Sequence, residues 1–242
     1  VKRSVDVVIS LLGLVVSSPL LVPVILIVWV YDWHSPFYVA PRVGRGGRLF
    51  RMVKLRSMRV NADRIGVDST SARDPRITPV GHFIRRYKLD ELTQLWNVFR
   101  GDMSLVGPRP NVERETRLYT AEEQKLLTVK PGITDFASIV FADEGEILKD
   151  RPDPDIAYNQ LIRPWKSRLG ILYVQHHNTW LDLRLLWLTA LAMVSRESAL
   201  RGVHGELVAL GAPDDVARAA LRTVPLEPVP PPGATEIVTR RS

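Results

Sequence analysis

Two adjacent carboxylates, Asp90-Glu91, open a stretch in which Leu89, Leu92, Leu95, Trp96 and Phe99 recur at helical spacing. Neighbouring helical residues lie about 100° apart, so the pair can approach one cation or one phosphate from two directions. Acids are also favourable in any first helical turn, so the pair alone does not separate chemistry from helix stabilisation. Gly107-Pro108-Arg109-Pro110 sets prolines on both sides of an arginine. The stiffened backbone suits a guanidinium that grips a phosphate bidentately, and equally a loop arginine in solvent. The third cluster is basic: Arg42, Arg45, Arg48, Arg51, Lys54, Arg56 and Arg59, with no acid between residues 42 and 59. Within it Lys54 and Arg56 are the phosphate candidates; the others suit a solvated or membrane-facing hairpin. Histidines offer little, because His176-His177 lack the i, i+4 spacing for chelation and His34, His82 and His204 are scattered. The absence of cysteine excludes a disulfide scaffold, a thiolate metal site and a thiol nucleophile.

The elements that must hold these groups divide the 242 residues unevenly. Lys and Arg total 33 against 26 Asp and Glu, a net +7, which suits phosphates, nucleic acid or an anionic membrane surface. No recognised nucleic-acid motif or stacking platform accompanies the charge, so nucleic acid is not expected. Val7–Tyr31 is uncharged over 25 residues. As a helix it reaches about 37 Å, more than the ~30 Å hydrocarbon core. Ser17-Ser18-Pro19 interrupts it, with Pro23 beyond, so a kink or break is expected at Ser18-Pro19. Lys2-Arg3 before the run and the arginines after it make both flanks basic. By the positive-inside rule that fits a helix folded back at Ser18-Pro19, against the alternative of a kinked spanning helix.

After the anchor, Phe37–Val43 and Arg48–Leu55 flank Gly44-Arg45-Gly46-Gly47 and read as a β-hairpin. Residues 61–79 are polar and turn-rich. A helix follows to Gly101, a C-cap glycine, and Thr120 with Glu123 forms a capping-box pattern. Residues 155–195 are helical, and Trp165, Trp180 and Trp187 among Arg163, Lys166, Arg168 and Arg184 suit amphipathic helices at a membrane surface, or ordinary core helices. Beyond Val203 periodicity gives way to Pro225, Pro228 and Pro230-Pro231-Pro232, and a largely disordered tail is expected.

Taken in order, Lys2-Arg3, Ser18-Pro19, Arg42-Val43-Gly44, Lys54-Leu55-Arg56-Ser57-Met58, Asp74-Pro75-Arg76-Ile77-Thr78, Leu89-Asp90-Glu91-Leu92, Gln94-Leu95-Trp96-Asn97-Val98, Gly101-Asp102-Met103-Ser104-Leu105-Val106-Gly107-Pro108-Arg109-Pro110 and Lys130-Pro131-Gly132-Ile133-Thr134 make a pattern. Over residues 2–195 it resembles the bacterial sugar transferases, the monotopic polyprenyl-phosphate phosphoglycosyl transferases. The resemblance implies a mainly helical α+β protein at the cytoplasmic face of the bacterial inner membrane. It divides into a re-entrant anchor (1–35), a catalytic domain with a small hairpin, catalytic helices and interfacial amphipathic helices (36–202), and the tail (203–242). It further implies transfer of a sugar-1-phosphate from a UDP-sugar to a polyprenyl phosphate, starting glycan assembly and releasing UMP. Asp90 becomes the nucleophile of a covalent phosphosugar intermediate, and Glu91 joins it in the Mg²⁺ neighbourhood. Arg109 and Arg86 would grip the diphosphate, and Lys54 and Arg56 would complete the basic wall, with anionic lipid head groups as further partners. Nearby Arg85 and Arg86 favour the ionised carboxylate that attack requires.

Some positions depart from the family pattern. Lys88 and Thr93 stand where many relatives have Ser or Thr and Pro, and Asp135-Phe136-Ala137-Ser138-Ile139 follows Thr134 in place of Gly-Trp. The last change bears on donor recognition more than on the reaction. The rival reading is a non-catalytic basic scaffold at a membrane surface.

Overall fold

A computed structural model describes residues 2–62, 70 and 74–240. The apolar opening run forms one helix, α1 (Lys2–Asp32), which continues through Pro19 and Pro23. Pro19 has no amide to offer the carbonyl of Val15, and the Ser18 hydroxyl donates to that oxygen instead, at 2.7 Å. No break in the helix falls at Ser18-Pro19, where this hydroxyl takes the place of the missing amide. Among the described residues α1 is the one helix long and apolar enough to cross a membrane. Most of its surface is bare: Leu12, Val15, Val16, Leu20, Val22, Leu26 and Ile27 are exposed.

Both ends of α1 are tied to the rest of the protein. Lys2 donates to Asp182 at 2.5 Å, to the Tyr173 hydroxyl at 3.0 Å and to the Val106 carbonyl at 3.1 Å. Arg3 donates to the Val98 and Phe99 carbonyls, and Asp6 accepts from Ser104 and the Leu105 amide. At the far end Val24 and Val28 pack with Leu55, Ile84 and Leu89, and Asp32 receives both terminal nitrogens of Arg56 at 2.5 and 2.6 Å. The basic N-terminal flank therefore binds protein groups.

The hairpin forms as expected, β1 (Phe37–Val43) running antiparallel to β2 (Leu49–Leu55) with Val43 opposite Leu49 and Phe37 opposite Leu55. Gly46 and Gly47 close it with φ of 67° and 77°, a region glycine enters without strain. Most of the polar 61–79 loop lies outside the described residues. Its end leads into α2 (Pro79–Arg86), capped by the Thr78 hydroxyl, then α3 (Leu89–Leu92) and α4 (Leu95–Arg100). The single helix read from Gly81 to Gly101 is therefore corrected: it breaks at Lys88, whose φ of 56° is left-handed, while Thr93 and Gln94, between α3 and α4, keep right-handed helical angles.

A second, parallel pair joins β3 (Ser104–Val106) to β4 (Gly132–Thr134). Around it stand the short helices α5 (Glu113–Thr116), α6 (Phe136–Val140) and α7 (Glu144–Ile147), and the longer α8 (Pro154–Leu161), α9 (Arg163–His176) and α10 (Thr179–Val194). Phe136, Tyr173, Leu148, Ile162 and Leu185 are fully buried between them. The result is mainly helical α+β.

The capping box is present: Thr120 and Glu123 exchange side-chain and backbone hydrogen bonds at 3.1 Å to open a 3₁₀ helix (Glu123–Thr128). The Glu123 carboxylate is also the acceptor of a buried network, from Arg163 at 2.6 and 3.0 Å and Ser167 at 2.7 Å. Arg163 is therefore a core residue, which corrects its reading as part of an interfacial charge pattern.

The disordered tail expected from 203 to 242 is corrected as well. The chain continues in α11 (Arg196–Ala209) and α12 (Asp214–Leu221), burying Val203, Leu207, Val216, Ala217 and Ala220. Much of this stripe is alanine, which carries little hydropathy contrast. The proline-rich residues then run back across α8 and α9. Thr120 donates to the Pro232 carbonyl, Arg168 to Pro230 and Gln160 to Val238, at 2.5, 3.0 and 2.7 Å. Proline keeps its acceptor and loses little conformational freedom on ordering, so such a strap forms readily.

Glu123→Ala leaves the Arg163 charge buried without its partner, and is expected to lower stability by about 3–5 kcal/mol, measured by denaturant unfolding of the detergent-solubilised protein.

Candidate functional site

The site is assembled where α3 and α4 cross β2. The fully buried Asn97 side chain accepts from the Val53 amide at 2.9 Å and donates to the Arg51 carbonyl at 2.8 Å, pairing with the strand edge as another strand would. Thr93 adds bonds from its hydroxyl to the Val53 and Asp90 carbonyls. Thr93 thus ties the turn to the strand. Lys88, at φ 56°, turns the chain sharply from α2 into α3, a left-handed conformation that costs a non-glycine residue about 1–2 kcal/mol.

This crossing brings Lys54, Asp90, Glu91 and Arg109 together. Glu91 pairs with Arg109 at 3.1 Å and lies 4.0 Å from Lys88. Arg109 also donates to the Ile133 carbonyl at 3.1 Å, and its loop is fastened on both sides, by Gly107 N–H to Thr134 and Gly132 N–H to Pro108. A side chain on either glycine would collide with the opposing backbone, at 2.5 Å for Gly107 and 2.1 Å for Gly132. The prolines and these glycines together fix where the guanidinium stands. Asp90 is 9 % exposed, and among the described residues its carboxylate has neither a hydrogen bond nor an ion pair. It nevertheless feels the charges of Lys54, Arg85 and Arg109.

The fields are strong. Burial, reinforced by Arg109, pushes the Lys54 ammonium down to about 8, while Asp90 and Glu91 hold its proton on. Burial would raise the Glu91 carboxyl, but Arg109, Lys88 and Lys54 outweigh it and hold it below the usual range. Glu91 in turn, with Asp135, Asp90 and Glu144, raises Arg109. Both partners of the pair are thus charged at neutral pH.

A second group of charges borders the first. Asp135 caps α6 through the Ser138 amide and hydroxyl, both at 2.7 Å, and burial raises its carboxyl. Glu144 opposes burial through an ion pair with Lys166 and the charge of Arg109, and is lowered. Lys166 also lies over the Tyr158 ring. Glu144 and Lys166 sit more than 50 residues beyond Asp90, and no spacing in the sequence announces them. Asp135 was visible as a departure from the family pattern. The structure shows it turned into its own helix.

Two residues read as site arginines lie elsewhere. Arg56 is spent on Asp32 and the Ser35 carbonyl, locking the end of α1 to the strand. Arg86 is exposed, its guanidinium over the Tyr87 ring. One residue earlier on α2, Arg85 donates to Ser57 and faces the Asp90 charge. A helix turns 100° per residue, so Arg85 and Arg86 cannot share a direction.

Among the described residues no three carboxylates or histidines form a metal cluster. A Mg²⁺ site of the implied kind does not require one. Mg²⁺ retains water and binds through one or two carboxylates plus substrate phosphates, and the partner-free Asp90 beside Glu91 fits that donor set.

A carboxylate without a partner among the described residues, set among Lys54, Arg85 and Arg109, is an arrangement suited to phosphate chemistry. The family model described as bacterial sugar transferase matches residues 1–196, and the chain belongs to that family. Relatives include the UDP-galactose-lipid carrier transferase of Erwinia amylovora and the undecaprenyl-phosphate galactose phosphotransferase of Salmonella typhimurium, each 35% identical over 82% of this chain and 41% of their own length. The undecaprenyl-phosphate glucose phosphotransferase of Komagataeibacter xylinus is 36% identical over 78% of this chain and 35% of its own. The chain thus spans about two fifths of the length of the first two.

Competitive labelling with an amine-selective reagent is expected to give Lys54 a midpoint of about 8, against ~10.4 for surface lysines. Glu91→Gln removes a charge that retains the proton, so the midpoint falls; Arg109→Met removes a repelling one, so it rises. A midpoint indifferent to both would detach Lys54 from the cluster.

Proposed function

We propose that this chain transfers a sugar-1-phosphate from a UDP-sugar to a membrane polyprenyl phosphate through an aspartyl-phosphosugar intermediate, the first step of a glycan assembly. The observation that carries the reading is Asp90, largely enclosed beside Lys54, Arg85 and Arg109, with a carboxylate that has no partner among the described residues. An Asp90 oxygen attacks the phosphorus attached to the sugar. The bond from that phosphorus to the bridging oxygen breaks, and the electron pair leaves with UMP. A polyprenyl phosphate oxygen then attacks the same phosphorus, breaks the acyl-phosphate bond and restores the carboxylate. Splitting the transfer lets one site meet a soluble donor and then a lipid acceptor. Lys54 and Arg109 lie where they can neutralise the phosphate oxygens in both steps, and Glu91 keeps Arg109 aimed. Mg²⁺ bound by Asp90 and Glu91 would add charge neutralisation for the diphosphate.

The membrane side of the reading rests on α1. Lys2 is held by Asp182 and Asp32 by Arg56, so one body holds both ends of an otherwise exposed apolar helix. That favours a helix that enters and leaves by one face, the cytoplasmic one, over a helix whose flanks are on opposite sides. Trp180, Trp187, Met193 and Val194 on α10 are exposed apolar groups suited to the interfacial layer, and Arg45, Arg48 and Arg51 on the hairpin suit anionic head groups. The relatives are named for galactose, glucose and N-acetylgalactosamine, so the donor sugar is left to a panel of UDP-sugars.

With polyprenyl phosphate in detergent, the wild-type chain is expected to release UMP from at least one member of that panel, and Asp90→Asn to release none. Glu91→Gln is expected to lower turnover at least tenfold and flatten its response to Mg²⁺. UMP release by Asp90→Asn would falsify the covalent mechanism, whereas liposome binding without any UMP release would restore the scaffold reading.

The chain lacks cysteine, so single cysteines can report topology. Cysteines placed near Lys2 and near Arg59 are expected to react with an impermeant maleimide from the same side of sealed vesicles. Opposite sides would establish a spanning helix.

A further inference from the structure

Gln94 is fully buried, and among the described residues neither its amide nitrogen nor its carbonyl oxygen has a hydrogen-bond partner. Native interiors rarely tolerate that, because a buried amide without partners forfeits its hydration and gains nothing in return. As a packing element, an apolar side chain of similar volume would serve better. The position invites a functional account.

Its place on the helix supplies one. Asp90 and Gln94 are four residues apart on backbone that is right-handed helical throughout, with Thr93 at φ −68°, ψ −18° and Gln94 at φ −70°, ψ −16°. Residues at i and i+4 share a face, and helical side chains lean toward the N-terminus, so Gln94 lies over the turn that carries Asp90. Its backbone is already engaged, N–H to Glu91 and carbonyl to Val98. Only its side-chain amide is uncommitted, one turn from a carboxylate that is uncommitted too. The remaining neighbours of Asp90 are cations without a hydrogen bond to it among the described residues: Lys54 from β2, Arg85 from α2 and Arg109 from the loop after β3. The charged groups of α1, which packs on α3, are committed to other partners. Arg85 is held by Ser57 and Arg109 by Glu91 and the Ile133 carbonyl, so these cations neutralise the carboxylate without fixing its direction, which an amide donor can do.

We propose that Gln94 is a positioning residue whose side-chain amide donates to the Asp90 carboxylate once the donor is bound, holding the attacking oxygen in line with phosphorus. The inference rests on Asp90 being the nucleophile. Catalytic hydrogen bonds often close only in the substrate complex, which fits two uncommitted groups one turn apart in the free protein.

The test compares the full chain with Gln94→Met, which keeps the volume and removes the amide, and Gln94→Leu. Thermal unfolding, the pre-steady-state UMP burst and mass-spectrometric mapping of the phosphosugar adduct are the readouts. Gln94→Met is expected to keep or raise Tm, to hold KM for the UDP-sugar, and to slow the burst and kcat about 10- to 100-fold. A wild-type burst rate in either folded variant overturns the proposal, as does a rise in KM with kcat unchanged. Loss of more than about 5 °C in Tm in both variants marks Gln94 as structural and also overturns it. An adduct on a residue other than Asp90 strikes the underlying reading, whereas an Asp90 adduct formed at the wild-type rate in Gln94→Met strikes only Gln94.

Discussion

One side chain, Asn97, decides whether the site exists. Its amide satisfies the edge of β2 with two hydrogen bonds, while its own carbonyl receives the amides of Gly101, Asp102 and Met103 to end α4. Each such bond is worth about 1 kcal/mol net. Their loss would strand several buried groups at once, which is where the larger penalty lies. Through this crossing α3 inherits its distance from Lys54, and α1, which caps α4 with Arg3 and packs Gly13 against Leu95, inherits its seat.

Held this way, the charges form an arrangement that is incomplete by itself. Lys54, Arg85 and Arg109 stand against Asp90 and Glu91, and Glu91 already engages Arg109. The lowered Lys54 records its burial first and the repulsion of Arg109 second. A diphosphate entering beside Asp90 would relieve it, by the same Coulomb interaction that raises the ammonium's proton affinity near any anion. On the proposed function, the site would stabilise developing phosphate charge with groups that need little reorganisation, because Arg109 is held by β4 and Lys54 by the hairpin.

The same economy links membrane and site. Arg56 and Lys2, basic groups that lipid phosphate could have taken, instead fasten α1 to the catalytic body. The apolar helix and the hairpin bearing Lys54 therefore move as one piece. On the proposed function, that would set the reacting groups at a fixed height relative to an α1 seated in the bilayer, as a lipid acceptor requires and a soluble one does not.

Much of this was legible in the sequence, and the reason is local. The hairpin followed from strand patterning around a glycine turn, the capping box from Thr120 and Glu123, and the helical character between Gly81 and Gly101 from its apolar period, though not its break at Lys88; each is a property of a few consecutive residues. Ordered motifs pointed to Asp90, Glu91, Lys54 and Arg109. What the sequence could not decide was direction over long separations. Arg85 rather than Arg86 faces Asp90 because of how α2 rolls against Leu55 and Val28, and Arg56 leaves the site because Asp32 reaches it first. Glu144 and Lys166 join the rim from α7 and α9, and the proline-rich tail is ordered because Thr120, Gln160 and Arg168 offer donors to its carbonyls. Residue type and spacing set the available chemistry. Only the packing of distant segments determined which charges meet, because Coulomb and hydrogen-bond interactions depend on distance in space and not along the chain.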